Sequence, residues 1–95
     1  MDVQVSPRAL RDLKKIQPGD RRLVTTALQR LADPEPLGAA AKTLIGAHPY
    51  LRLRAGDWRI IYCPLSHVDP NPAGPGWYVA RVVNRRDLDT TVRSL

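Results

Sequence analysis

The sequence predicts an α+β domain of order β-α-α-β-β-β, an antiparallel sheet with a two-helix hairpin packed on one face. Three observations predict it. Two adjacent early segments carry apolar residues at helical spacing, later segments alternate or are rich in β-branched and aromatic residues, and proline–glycine clusters separate them. Its 95 residues suit a single domain, read as 1–95, with one modest core. At 43% apolar and 25% charged, the composition is that of a globular protein and excludes wholesale disorder. No apolar run reaches the roughly 18–20 residues of a membrane span, and the N-terminus lacks a signal-peptide core, so a cytoplasmic location without membrane is expected. A single cysteine excludes an internal disulfide, and Cys63 lies far from His48 and His67, which excludes a zinc finger.

Each element has its own signal. Asp2-Val3-Gln4-Val5 alternates with the period of a half-buried strand. Ser6-Pro7 starts a helix, serine capping free N–H groups and proline fitting the first helical position. Ala9, Leu10, Leu13 and Ile16 form its apolar stripe, with Arg8, Arg11, Lys14 and Lys15 on the other faces. Pro18-Gly19 breaks the pattern, and Asp20 is the expected cap of a second helix. Leu23, Val24, Ala27, Leu28 and Leu31 form that helix's stripe, which Asp33-Pro34-Glu35-Pro36 ends. Residues 37–49 read as a loop or a partly helical connector, with Gly38, Gly46 and Pro49. Tyr50-Leu51-Arg52-Leu53-Arg54 alternates strictly, Ala55-Gly56 reads as a tight turn, and Asp57 to Cys63 holds Trp58, Ile60, Ile61 and Tyr62. Four prolines and two glycines make residues 64–76 a loop. Trp77 to Val83 is a further strand, and Asn84 to Leu95 is one helical turn or a frayed edge strand.

Charge gives the first functional hint. Fifteen Lys and Arg against nine Asp and Glu leave a net charge of +6. Twelve of the fifteen cations are arginine, whose planar fork suits phosphate better than an ammonium does. Nucleic acid or an acidic protein is the favoured partner, against the plainer reading of a solvated basic surface. With Ala55-Gly56 as a two-residue loop, Arg52 faces Arg59, and both lie away from the face of Leu51, Leu53, Trp58 and Ile60. Like charges across a strand pair repel, so the two side chains either splay into water or hold an anion between them. Alanine is a poor first residue for such a turn, and a slip of one residue would part the pair. Arg81, Arg85 and Arg86 follow at the end of the last strand. Beside the hairpin, Arg85 and Arg86 could complete a phosphate-binding groove; alternatively they cap carbonyls and pair with Asp87 or Asp89.

The stretch from Tyr50 to Tyr62, with Arg52, Arg54, Gly56, Asp57, Trp58 and Arg59 in place, resembles the central signature of RelE/ParE-type toxins of bacterial toxin–antitoxin pairs. Val82-Val83-Asn84-Arg85-Arg86-Asp87 is similar to the C-terminal segment of that family. The resemblance implies a RelE-like fold and, on the RelE-like branch, a metal-independent, cofactor-free ribonuclease that cuts mRNA in the ribosomal A site. There the substrate 2′-hydroxyl attacks its own 3′-phosphate. Arg59 would steady the developing charge, Arg86 would stand near the leaving oxygen, and Arg52 falls where some members carry a lysine credited with base action. Arg54, Arg85 and Arg81 would position RNA. The implied partners are a cognate acidic antitoxin, the ribosome and mRNA.

Two departures bear on this reading. Arginine at 52 is a poor base, its pKa lying above about 12. Val92 falls where many RelE-like toxins carry a tyrosine. The alternative is a ParE-like poison of DNA gyrase, an inhibitor rather than a nuclease, or a toxin fold with impaired catalysis. A plain RNA-binding module fits less well, because two Trp, three Tyr and no Phe leave little for base stacking. Tyr50, Tyr62 and Tyr78 are read as packing, Trp58 and Trp77 as anchors of the helix-facing core, and Cys63 as a small core residue. His48 and His67 lack a partner at a recognisable spacing and are read as loop residues.

Overall fold

The computed structural model describes residues 2–33, 41–44 and 47–95. Strand β1 (Asp2–Val5) leads into α1 (Pro7–Lys14) and α2 (Pro18–Ala32). Strands β2 (Ala41–Thr43), β3 (Leu51–Ala55), β4 (Trp58–Pro64) and β5 (Gly76–Asn84) follow, and α3 (Leu88–Arg93) ends the chain. The sheet runs β1-β5-β4-β3-β2, with every pairing antiparallel except β1 with β5. The α+β class and the helical hairpin on one face are as the sequence predicts. The parallel β1–β5 pair makes the sheet mixed: the chain leaves β1, crosses through both helices and the hairpin, and returns beside it.

Helix α1 starts as its sequence dictates. The Ser6 hydroxyl accepts the Ala9 N–H at 3.0 Å and donates to the Ala80 carbonyl at 2.8 Å, so the cap also ties the helix to β5. Arg21 closes the other end, donating to the carbonyls of Leu13, Lys14 and Ile16. Asp20 does not cap α2. That helix begins at Pro18 with Gln17 as its cap, and Asp20 in the first turn accepts the Trp58 indole N–H at 3.2 Å.

The core lies between the helices and the sheet. Ala9, Ile16, Val24, Ala27 and Leu31 meet Leu53, Ile60, Tyr62, Val79 and Val82, with Trp58 and Trp77 against them. Leu10 and Leu23, expected in the stripes, are 49% and 51% exposed. Short helices on a twisted sheet bury a narrower arc than the pattern of apolar residues spans. Cys63 is buried, as expected. On the other face, Leu44, Ile61 and Val83 form a second cluster, covered by Ala47, Tyr50, Leu88 and Val92.

Three segments differ from expectation. Part of the 37–49 connector is the edge strand β2, whose backbone pairs with Leu51–Leu53; residues 34–40 and 45–46 lie outside the described residues. The 64–76 loop opens with a short 3-10 turn that buries Leu65. The C-terminal segment is a 3-10 turn, Arg85–Asp87, running straight into α3.

Candidate functional site

The β3–β4 hairpin places three arginines on the face away from α1 and α2. Its turn is Gly56-Asp57, not Ala55-Gly56, because Gly56 takes the left-handed backbone at φ 61° that this tight turn requires. Arg59 therefore stands opposite Arg54, and Arg52 stands opposite Ile61, one diagonal step away. The pairing differs from the expected one by two residues, and a two-residue shift leaves every side chain on its own face. Arg52, Arg54 and Arg59 still share a surface.

Arg59 is the centre of the group. Its Nη1 donates to the Gly56 and Trp58 carbonyls, each at 2.9 Å. Those bonds fix the guanidinium against the turn and leave the Nε–H and the two Nη2 protons to address a ligand. Partial burial, then the charges of Arg52, Arg54 and Arg85, push its pKa below the ordinary arginine value, with Asp57 opposing them. The group stays cationic at neutral pH. A half-desolvated cation held among like charges gains most from a bound anion.

The turn after β5 brings the next cations. Asn84 caps it, its Oδ1 accepting the Arg86 N–H at 3.2 Å, and the Arg85 N–H donates to the Asp57 carbonyl at 2.8 Å. The Arg85 guanidinium lies 3.7 Å from the Asp57 carboxylate in an exposed, weak ion pair. Arg86, on the same turn, is exposed, forms no ion pair among the described residues, and is not among the charges that shift Arg59. The structure thus gathers Arg52, Arg54, Arg59 and Arg85, with Arg86 at the margin.

Arg81 stands apart. It lies on the helix side, where its Nε and Nη2 donate to the Asp12 carboxylate at 2.8 and 3.2 Å. That bond raises its pKa. With Arg8, Asp12 and Lys15 it lines a groove of about 500 Å³ between α1, β5 and α3. Val92 packs against the cluster of Ile61 and Val83. Tyr62 is buried edge-on to Trp77 at 5.1 Å, and burial raises its phenol pKa. His67 stands edge-on to Tyr50 at 5.6 Å. Among the described residues, no group of three His, Cys, Asp or Glu could hold a metal ion.

The family model described as the ParE toxin of the type II toxin–antitoxin system, parDE, matches residues 3–87. The chain belongs to this toxin family. Among solved structures the toxin is similar to a chain of the RelB–RelE antitoxin–toxin complex from Methanococcus jannaschii. The TM-score is 0.67 at 19% identity, over 93% of this chain and 96% of that one. At that identity the likeness is one of fold. No curated protein matches the toxin.

Sequence reading missed three residues that shape the toxin's surface. Asp57 ties the C-terminal turn to the hairpin by accepting the Arg85 N–H, Asn84 caps that turn, and nothing in their local pattern announces either. Asp12 left a signal. It shares a helix face with Ala9 and Ile16, at i, i+3 and i+7, and a carboxylate on a buried face needs a donor from the neighbouring element.

Proposed function

We propose that this toxin is a RelE-like, ribosome-dependent mRNA endoribonuclease whose work rests on the arginine face, and that a cognate acidic antitoxin neutralises it. The observation that carries the reading is Arg59, oriented by two carbonyls and ringed by Arg52, Arg54 and Arg85. Such preorganised donors stabilise the charge that builds on phosphate oxygens as the substrate 2′-hydroxyl attacks. In this reading Arg59 steadies the phosphorane-like oxygens, Arg86 reaches the leaving oxygen from its exposed turn, and Arg52, Arg54 and Arg85 hold the RNA backbone. Arg81, already paired with Asp12, is left out of the contact set. No arginine is a good base, so the 2′-proton passes to solvent water while the ribosome holds the substrate in line for attack.

A second reading is a ParE-like inhibitor of DNA gyrase. It is favoured by Val92, which packs into the second cluster where a nuclease relative would offer a phenol, and by the ParE description of the matching family. Induced expression separates the two. The nuclease reading predicts growth arrest with broken mRNA, lost in Arg59→Ala and Arg86→Ala while both variants still bind antitoxin. Double-strand DNA breaks with intact mRNA would establish the gyrase reading. Full toxicity in both variants would remove the arginine face from the account.

A further inference from the structure

We propose that Asp12, on α1, is a positioning residue for the arginine cluster on the opposite face of the sheet, acting through a bulge in β5. The inference rests on that cluster being the anion-binding site proposed above.

The bulge decides which face the end of β5 presents. Val79 faces the helices, so strict alternation would put residues 81 and 83 there as well. Instead Val82 joins Val79 in the helix-side core, and Val83 joins Ile61 on the other side. The register shows why: Ile61 pairs with Arg81 and Tyr62 with Val79, leaving Ala80 as an extra residue. One inserted residue exchanges the two faces for the residues beyond the bulge, here from Val82 onward. Val83 comes to lie opposite Arg59, and the next turn delivers Arg85 over Asp57.

Side chains from the α1 segment hold the bulge. The Ser6 hydroxyl donates to the Ala80 carbonyl at 2.8 Å, and Asp12 Oδ2 accepts the Val82 N–H at 3.0 Å. The same carboxylate takes both prongs of Arg81, keeping that side chain on the helix side. Asp12 and Arg81 side chains are 16% and 19% exposed, so this is a largely desolvated, three-donor bond set. Asparagine at 12 could still accept the Val82 N–H, but its amide offers Arg81 no second anionic oxygen. The cluster's geometry thus depends on a carboxylate that never touches it.

The test uses the whole chain, in Asp12→Asn and in Arg81→Lys, a milder variant that keeps one ion pair. Leu28→Ala, which loosens the same core away from the bulge, is the control for lost stability. NMR of the folded proteins is expected to show the Arg85 amide and the Arg59 Nε–H displaced in Asp12→Asn, displaced less in Arg81→Lys, and unmoved in Leu28→Ala. Binding of a short single-stranded RNA is the second readout. Losing one phosphate contact lowers the slope of log K against log salt by about 0.7. Asp12→Asn is expected to lose that amount, Arg85→Ala the same, and the double variant no more than either. Unmoved Arg59 and Arg85 signals, or additive losses in the double variant, would overturn the proposal. If the wild-type protein binds RNA with no salt dependence, the nuclease reading fails, and the NMR comparison decides the role of Asp12 alone.

Discussion

Arg54 stands directly across from Arg59, a repulsion that Asp57 at the turn offsets only in part. Two like unit charges repel by about 1 kcal/mol at about 4 Å in water-like screening and by about 4 kcal/mol at an effective dielectric near ~20, and by less when further apart. Arg54 is exposed, so the lower figure governs, in line with the ~0.2–1 kcal/mol typical of cross-strand charge pairs. Arg54→Gln is therefore expected to stabilise the protein by about 0.5–1 kcal/mol. For a domain this size that raises Tm by roughly 2–8 °C in low salt. The gain should fade near ~1 M salt, where the Debye length shrinks to ~3 Å. The same variant should bind RNA more weakly, so stability and affinity move in opposite directions. Thermal melts at two salt concentrations decide it. A variant that melts at or below wild type in low salt, or keeps its gain at high salt, would refute the argument that function maintains this pair.

Two further outcomes follow from the packing. A Cβ at Gly76 would sit 2.7 Å from the Asp2 carbonyl oxygen and 3.1 Å from a Leu65 methyl, so Gly76→Ala should push β1 off β5. That overpacking should cost about 1–3 kcal/mol, read as a lower urea midpoint, and an unchanged midpoint would contradict the parallel register. Burial raises the Cys63 thiol and the Tyr62 phenol above their ordinary values of 9.0 and 10.0. Both groups ionise first in the unfolded chain, so their contribution is whole below about pH 9 and is lost as pH climbs through the raised values. Cys63→Ala should remove the earlier part of that alkaline loss; stability that stays flat above about pH 9 in the wild type would argue against it.

Much of the fold was legible because apolar periodicity records burial. Ala9, Leu13 and Ile16 mark one helix, Val24, Ala27 and Leu31 the other, and Leu53, Ile60 and Tyr62 the strand face they meet. Leu10 and Leu23 misled because a periodic pattern does not say how wide the buried arc is. The hairpin turn was misplaced by local chemistry: Gly56 sits at its first position, and the sequence could equally seat it at the second. The arginine face survived that error, since the shift kept its parity. The bulge at Ala80 and the parallel seat of β1 are tertiary facts without a local signature, and the bond to Asp12 is what keeps Arg81 on the helix side rather than toward Arg59. Long-range pairing, not propensity, placed the residues that distinguish this site.

Whether the arginine face cuts RNA is the most direct question the molecule poses. Purified toxin, added to a translation extract charged with one defined mRNA and followed by primer extension, answers that. Breaks are expected within the codon in the ribosomal A site, absent without ribosomes and absent for Arg59→Ala. Intact mRNA in a normally translating extract, with the wild-type protein shown to be folded, would contradict the nuclease reading.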